Sequence, residues 1–173
     1  MNYAAVKKTD VANGPGVRVS LFVSGCTHRC PGCFNSEAWD FAYGQPFTAG
    51  TQEEILAALA PGYIRGITVL GGEPFEETNR ASVAGLLRAV RGKYPEKDIW
   101  CYTGYDFEKD LLKWMEAGKE DVRILLELLD VLVDGEFILE RKNLRLKFRG
   151  SDNQRILNVP ESLRLGRAVP AQI

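Results

Sequence analysis

The sequence lacks any long apolar run, and no stretch approaches the ~18 residues that a membrane-spanning helix needs. Its first ten residues also lack the apolar segment of a signal peptide. An excess of one charge is missing too, because 22 Lys and Arg face 23 Asp and Glu, for a net charge of −1. That balance gives no bulk attraction to nucleic acid or to an anionic membrane. We therefore expect a cytoplasmic protein that binds neither.

Cysteine and histidine are scarce, with four cysteines and one histidine in 173 residues. Three of the cysteines, Cys26, Cys30 and Cys33, nevertheless form a C-x3-C-x2-C run. Clustered cysteines in a cytosolic chain indicate metal rather than disulfides, and three thiolates so close together can bind three irons of a [4Fe–4S] cluster. Such a cluster normally takes four protein ligands. Because no fourth cysteine is in the run, one iron would stay open, which is typical of a reactive cluster rather than an electron carrier.

Zinc is the alternative occupant of this run, with His28 as a possible fourth ligand. Structural zinc sites usually take four Cys or His ligands in two separated pairs, and His28 lies inside the run. The spacing therefore favours iron–sulfur, and His28 is better explained as a polar loop residue that tunes the site through a hydrogen bond. Cys101, far along the chain, is predicted to be a small buried residue of a strand.

Strand and helix patterns alternate through most of the chain. Strands are predicted at residues 17–23, 67–70, 98–103, 131–134, 144–148 and 155–159. Helices are predicted at 51–60, 78–93, 107–117 and 122–129, the first with a capping box of Thr51 and Glu54. The alternation predicts an α/β fold with a parallel sheet. A complete eight-stranded barrel needs about 200 residues or more, so an incomplete βα barrel of about five to six mostly parallel strands is expected.

A second motif, Gly71-Gly72-Glu73-Pro74, follows the second predicted strand. Two glycines let the backbone approach a ligand closely, and the Glu73 carboxylate could accept hydrogen bonds from an ammonium group. The cysteine run follows the first strand and a Tyr-Thr-Gly-Tyr motif follows the third. Because the carboxyl ends of parallel strands share one edge of a sheet, we expect all three motifs to meet there.

The cysteine run followed by Gly-Gly-Glu-Pro resembles the radical S-adenosylmethionine (SAM) enzymes. The resemblance implies a radical SAM core in which Cys26, Cys30 and Cys33 ligate the cluster and act through it, while SAM chelates the open iron. It also implies that Gly32, Cys33 and Phe34 contact the adenosyl part of SAM. Three further residues would then receive the methionine part: Gly71, Gly72 and Glu73.

Seven further segments narrow the resemblance to the activating proteins of anaerobic (class III) ribonucleotide reductases. In order, these segments begin at Asn13, Leu21, Pro31, Gln45, Trp100, Val131 and Arg149. The resemblance covers most of residues 1–160, which we take as one radical SAM domain. Residues 161–173 match no pattern and form a tail to which no role is assigned.

The resemblance implies that the cluster cleaves SAM to a 5′-deoxyadenosyl radical, which generates a glycyl radical on the reductase large subunit. It also implies a low-potential reductant, such as a flavodoxin-like protein, as electron donor. An activating enzyme for another glycyl radical enzyme, such as pyruvate formate-lyase, is an alternative that the short chain and residues 149–155 disfavour. A non-catalytic metal-binding interaction protein is an alternative of another class.

Residues 141–155 carry six basic side chains and one acidic side chain. Such a run usually forms a solvated surface. The sharper hypothesis is that it docks the reductase or an acidic reductant by electrostatic steering.

Overall fold

The computed structural model describes residues 1–173, and seven strands form its single sheet. The strands are β1 (Asn2–Asp10), β2 (Val17–Val23), β3 (Gln45–Pro46), β4 (Ile64–Gly71), β5 (Asp98–Tyr102), β6 (Val131–Asp134) and β7 (Arg155–Asn158). Their order across the sheet is β3-β1-β2-β4-β5-β6-β7. The central strands β2, β4, β5 and β6 are parallel, whereas β3, β1 and β7 pair antiparallel at the edges.

The predicted α/β class and its parallel centre are confirmed. The predicted count of five to six strands is wrong because β1 and β3 extend one edge of the sheet. The first of these is a mixed polar strand with exposed lysines, so it lacks the apolar run by which the central strands were recognised. Residues 144–148 were also predicted as a strand, and they form turns instead. Their alternating side chains fit a strand, but no neighbouring strand supplies hydrogen bonds to them.

Four of the five α-helices connect strands, and the fifth follows β7. They are α1 (Ala49–Leu59), α2 (Glu77–Lys93), α3 (Lys113–Glu116), α4 (Glu120–Glu127) and α5 (Val159–Leu165), and a π-helical turn, Phe107–Leu112, leads into α3. The helix predicted from residue 51 begins two residues earlier, with Thr48 as its N-cap. Thr48 and Thr51 each accept a hydrogen bond from the backbone N–H of the other at 3.3 Å. Thr51 therefore completes the capping box rather than opening it, and the prediction of Thr51 as the cap is wrong.

The two faces of the sheet have different environments. In β2 and β5, odd-numbered residues such as Val19, Leu21 and Cys101 lie in one hydrophobic core with the helices. Even-numbered residues such as Phe22 and Tyr102 point to the opposite face and line a cleft. The two-residue period of a strand explains this division. The prediction that Cys101 is a buried strand residue is confirmed, because it is fully buried and faces the helices.

The end of the chain packs along β7. The backbone N–H of Ala171 donates to the carbonyl of Ile156, and that of Asn158 donates to the carbonyl of Val169, both at 2.8 Å. Residues 169–171 thus pair with the sheet edge as an added extended segment after α5. No helix combines the length and the apolar character needed to cross a lipid bilayer.

Candidate functional site

A cleft of about 570 Å³ opens at the carboxyl ends of the parallel strands. All eight residues that the sequence predicted for the site line this cleft: Cys26, Cys30, Gly32, Cys33, Phe34, Gly71, Gly72 and Glu73. The volume is in the range of small-molecule sites. The structure therefore brings the cysteine run and the Gly-Gly-Glu segment together, as the positions of their strands predicted.

The cysteine run leaves β2 through a tight turn at Gly25. The φ of this residue is +93°, and a Cβ there would lie 2.3 Å from the ring of Phe41. Its N–H donates to the carbonyl of Ala38 at 2.8 Å, which fixes the start of the loop. Only glycine fits this position, because positive φ and the missing space both exclude a side chain.

The donor set of the cleft fits an iron–sulfur cluster better than a single metal ion. All three thiols are free, with Cys26 buried and the other two half-buried. No three ligand atoms from the cysteines and His28 lie within 4.8 Å of one another. Four sulfurs around one zinc would lie roughly 3.8 Å apart, given tetrahedral Zn–S bonds of about 2.3 Å. Sulfurs that bind separate irons of a cubane lie farther apart than that, so the absence of three such atoms within 4.8 Å of one another fits a cubane better than one zinc ion.

The surroundings of Cys26 favour its protonated thiol over the thiolate unless a cationic centre binds there. Burial raises the pKa of the Cys26 thiol to about 11, and the negative charge of Glu73 adds to this effect. A bound metal centre has the opposite effect and holds a thiol as thiolate. Binding at this site is therefore coupled to the loss of a proton from Cys26.

The Gly71-Gly72 segment lies directly against the start of the cysteine run. Gly71 has a φ of +110°, and a Cβ at Gly72 would lie 2.6 Å from the carbonyl oxygen of Gly25. The N–H of Gly72 donates to Val23 at 2.7 Å, and that of Glu73 donates to Gly25 at 2.8 Å. The glycines thus allow a backbone-to-backbone contact that no side chain would permit.

Both oxygens of the Glu73 carboxylate accept hydrogen bonds from protein donors. Oε1 accepts from the N–H of Phe75 at 2.8 Å and from the hydroxyl of Thr103 at 2.9 Å. Oε2 accepts from the N–H of Gly104 at 2.7 Å. The side chain is 1% exposed. This carboxylate therefore ties the β4 loop to the β5 loop and presents no free oxygen to the cleft.

His28 bridges three loops beside the cysteines. Its Nδ1 lies 2.7 Å from Glu136, and its Nε2 lies 3.3 Å from Oε2 of Glu73, close enough for an ion pair but out of line for a hydrogen bond. Its ring packs edge-on against Tyr105, with centroids 4.4 Å apart. Burial would lower the pKa of His28, but Glu73 and Glu136 raise it to about 9. Sequence reasoning predicted a polar loop residue and missed these partners, which come from distant loops.

An ion-pair cluster closes the edge of the sheet beside this site. Asp134 is buried and accepts from the N–H of Phe107 at 2.9 Å. Arg155 pairs with Asp134, with Glu108 at 2.8 Å and with Asp106 at 3.5 Å. The guanidinium occupies the centre of the three carboxylates, so this group is structural rather than a cation site.

Several known proteins are similar to this chain. A family model described as a 4Fe-4S single cluster domain matches residues 12–157. An anaerobic ribonucleoside-triphosphate reductase-activating protein of Enterobacteria phage T4 is 43% identical over 158 residues, which is 90% of this chain and 93% of the relative. The protein of the same name from Escherichia coli (strain K12) is 40% identical over 156 residues, which is 89% of this chain and 96% of the relative. A third, from Vibrio cholerae serotype O1, is 41% identical with the same coverage.

Proposed function

Because this chain belongs to the family of anaerobic ribonucleoside-triphosphate reductase-activating proteins, we propose that it is a radical SAM activating enzyme for such a reductase. Its [4Fe–4S] cluster and SAM would generate a glycyl radical on the reductase large subunit. The observation that carries the proposal is the cleft, where the cysteine run and the Gly71-Gly72 segment meet at the ends of adjacent parallel strands.

With a cluster held by Cys26, Cys30 and Cys33, the site would supply one electron for cleavage of SAM to methionine and a 5′-deoxyadenosyl radical, and transfer of the Cα hydrogen from the target glycine would give 5′-deoxyadenosine. We assign the cluster's three protein ligands to Cys26, Cys30 and Cys33 and leave its fourth iron to SAM. A flavodoxin-like or other low-potential reductant would provide the electron. The chain's own residues supply position and exclusion of water.

Within the second motif we assign the methionine end of SAM to backbone groups of Gly71 and Gly72 other than the N–H of Gly72, which already donates to Val23. Glu73 was expected to take part directly, but its carboxylate oxygens already accept from three protein donors. Its role in this proposal is to hold the Gly-Gly segment in place. Gly32, Cys33 and Phe34 line the same cleft, and Gly32 and Phe34, which flank the last cysteine, would contact the adenosyl end.

The sheet supports the proposal of an incomplete barrel with a radical SAM core. Helices cover one face, and Phe22, Leu70 and Tyr102 on the other face line the cleft. A sheet with helices outside and a site at the carboxyl ends of its strands is the arrangement of βα barrels. We propose that residues 1–160 form this domain, with residues 161–173 as an appended segment.

The experiment is anaerobic reconstitution with iron and sulfide, then reduction in the presence of SAM with and without the reductase large subunit. Chromatography would quantify 5′-deoxyadenosine and methionine. We expect both products from the wild type and from Cys101→Ala, and neither from Cys26→Ala. Cys26→Ala removes a thiol inside the cleft, and Cys101→Ala removes a thiol outside it, so each variant is the control for the other. A complete cluster that gives no 5′-deoxyadenosine even with the reductase present would contradict the proposal.

A further inference from the structure

We propose that residues 141–150, which we call the basic loop, dock the reductase large subunit by binding an acidic surface next to its target glycine. This inference rests on the proposed function and names the surface that function requires. The loop follows the short helical turn Leu139–Arg141 and forms one wall of the cleft.

The charge of the basic loop is unbalanced. Residues 141–150 include five basic side chains and no acidic one, in a chain whose net charge is −1. Arg141 pairs with Asp152 at 2.5 Å, but the other four cations have no carboxylate within ion-pair distance: Lys142, Arg145, Lys147 and Arg149. Most arginines elsewhere on this protein pair with a carboxylate, whereas these four cations of the basic loop do not. An acidic partner would complete their pairing.

Two large apolar side chains are exposed at the mouth of the same cleft. Leu144 in the basic loop is 89% exposed, and Phe34 beside the cysteines is 97% exposed. Apolar groups rimmed by charge at the entrance of a site are typical of a protein interface. A partner that covers both would also keep water from the radical chemistry.

The basic loop is held in one conformation rather than left free. Phe148 has a φ of +57°, which a residue other than glycine adopts only when its surroundings impose it. Its carbonyl accepts from the hydroxyl of Tyr102 at 2.7 Å, and its ring packs edge-on against Trp100. Gly150 closes the loop by accepting from the N–H of Asn143 at 3.2 Å. A preorganised loop loses little conformational entropy when a partner binds.

The position of the loop favours the reductase over the electron donor as its partner. Lys142, Leu144 and Arg149 share the cleft with the cysteines. A carbon radical abstracts hydrogen only on contact, so the target glycine has to enter this mouth and its protein has to lie against the loop. An electron donor need only come near the cluster and does not have to enter.

Reversal of two exposed charges tests the proposal. In Arg145→Glu/Lys147→Glu, both changes lie in the basic loop, and neither residue lines the cleft. Arg88→Glu/Lys93→Glu on α2 makes the same change of charge away from the cleft and is the control. The cluster-loaded proteins are compared for affinity to the reductase large subunit at low and at high salt, and for SAM cleavage without the reductase.

We expect the loop variant to bind the reductase about tenfold more weakly at low salt and to lose most of the salt dependence. The α2 variant should bind like the wild type, and SAM cleavage without the reductase should be unchanged in both. Unchanged affinity of the loop variant would overturn the proposal. If that unchanged affinity came with slower reduction by a flavodoxin-like donor, the loop would be assigned to the donor instead. Failure of the wild type to cleave SAM would instead remove the proposed function itself.

Discussion

The hydroxyl of Thr103 donates a hydrogen bond to the carboxylate of Glu73 at 2.9 Å, and this contact joins the loops after two neighbouring parallel strands. With the N–H of Gly104 on the other carboxylate oxygen, it fixes the Gly-Gly segment relative to the β5 loop. Glu73 is therefore a positioning residue in this account, whereas its sequence motif suggested a direct ligand.

Glu73→Gln should destabilise the metal-free protein, and it should weaken SAM binding by the cluster-loaded protein. The amide would turn an NH₂ group toward backbone N–H donors, so at least one buried hydrogen bond is lost. We expect the free energy of unfolding to fall by about 2 kcal/mol. Urea unfolding of the metal-free protein and equilibrium SAM binding by the cluster-loaded protein measure the two effects. Glu77→Gln, an exposed change on α2, is the control, and equal losses in both variants would refute the positioning role.

Gly72→Ala should disrupt the contact between the two motifs. A Cβ at Gly72 would lie 2.6 Å from a backbone carbonyl, which cannot move aside as a side chain could. We expect a loss of about 2 kcal/mol in unfolding free energy and much weaker SAM binding. Gly85→Ala in the middle of α2 has no atom within 4 Å of the new Cβ and should gain up to about 1 kcal/mol. Thermal unfolding of both variants checks the prediction, and a stable Gly72→Ala variant with normal SAM affinity would contradict it.

Arg155→Met should lower stability most at neutral pH. Asp134 would be left buried without its cation, at a cost of about 2 kcal/mol after allowance for the partial exposure of Arg155. Burial works against ionisation, but the Lys109 and Ala168 N–H groups and Arg155 hold the pKa values of Asp106 and Glu108 below their usual range. The stability that these two carboxylates contribute is therefore present at pH values above their unfolded pKa values. It is lost as the pH falls through their lower folded pKa values.

The difference in stability between Arg155→Met and the wild type should therefore narrow below about pH 4. Urea unfolding over a series of pH values measures it. Arg164→Met removes an arginine that pairs only with exposed Glu161, so no measurable change is expected from this control. If the difference in unfolding free energy between the variant and the wild type stayed constant with pH, Arg155 would not be what stabilises the ionised carboxylates.

Cys30→Ala should lose the cluster, whereas Cys101→Ala should keep it. Cys101 is fully buried in the core on the helix side of β5 and cannot replace a missing ligand. Its truncation leaves a small cavity, for which we expect a cost of about 1 kcal/mol. Iron content and visible absorption of the two reconstituted proteins decide the question. Loss of iron from Cys101→Ala with intact helical structure would place that cysteine in the site.

Local patterns predicted the central strands and the edge of the sheet where the motifs meet. β2 and β6 begin and end where the sequence predicts, because β-branched and apolar residues occupy most of their positions. All eight predicted site residues line one cleft for the same reason, since each motif directly follows such a strand. A motif's place at a strand end depends only on nearby residues.

Features that depend on distant partners could not be read from the sequence. Two of the three donors to Glu73 lie about thirty residues away, and His28 is held by Glu136, more than a hundred residues away. The alternation of residues 144–148 is that of a strand, yet these residues curve over the cleft because Phe148 packs on Trp100 instead of joining the sheet. Long-range packing overrides local preference at these places.

The most direct measurement is electron paramagnetic resonance of the reductase large subunit after incubation with the cluster-loaded protein, SAM and a low-potential reductant. We expect an organic radical whose signal is split by the remaining α-hydrogen of one glycine. The splitting should collapse when the reductase is made with α-deuterated glycine, and the signal should be absent with Cys26→Ala. If the protein cleaved SAM but left no such radical on the reductase, the proposal that it activates the reductase would be contradicted.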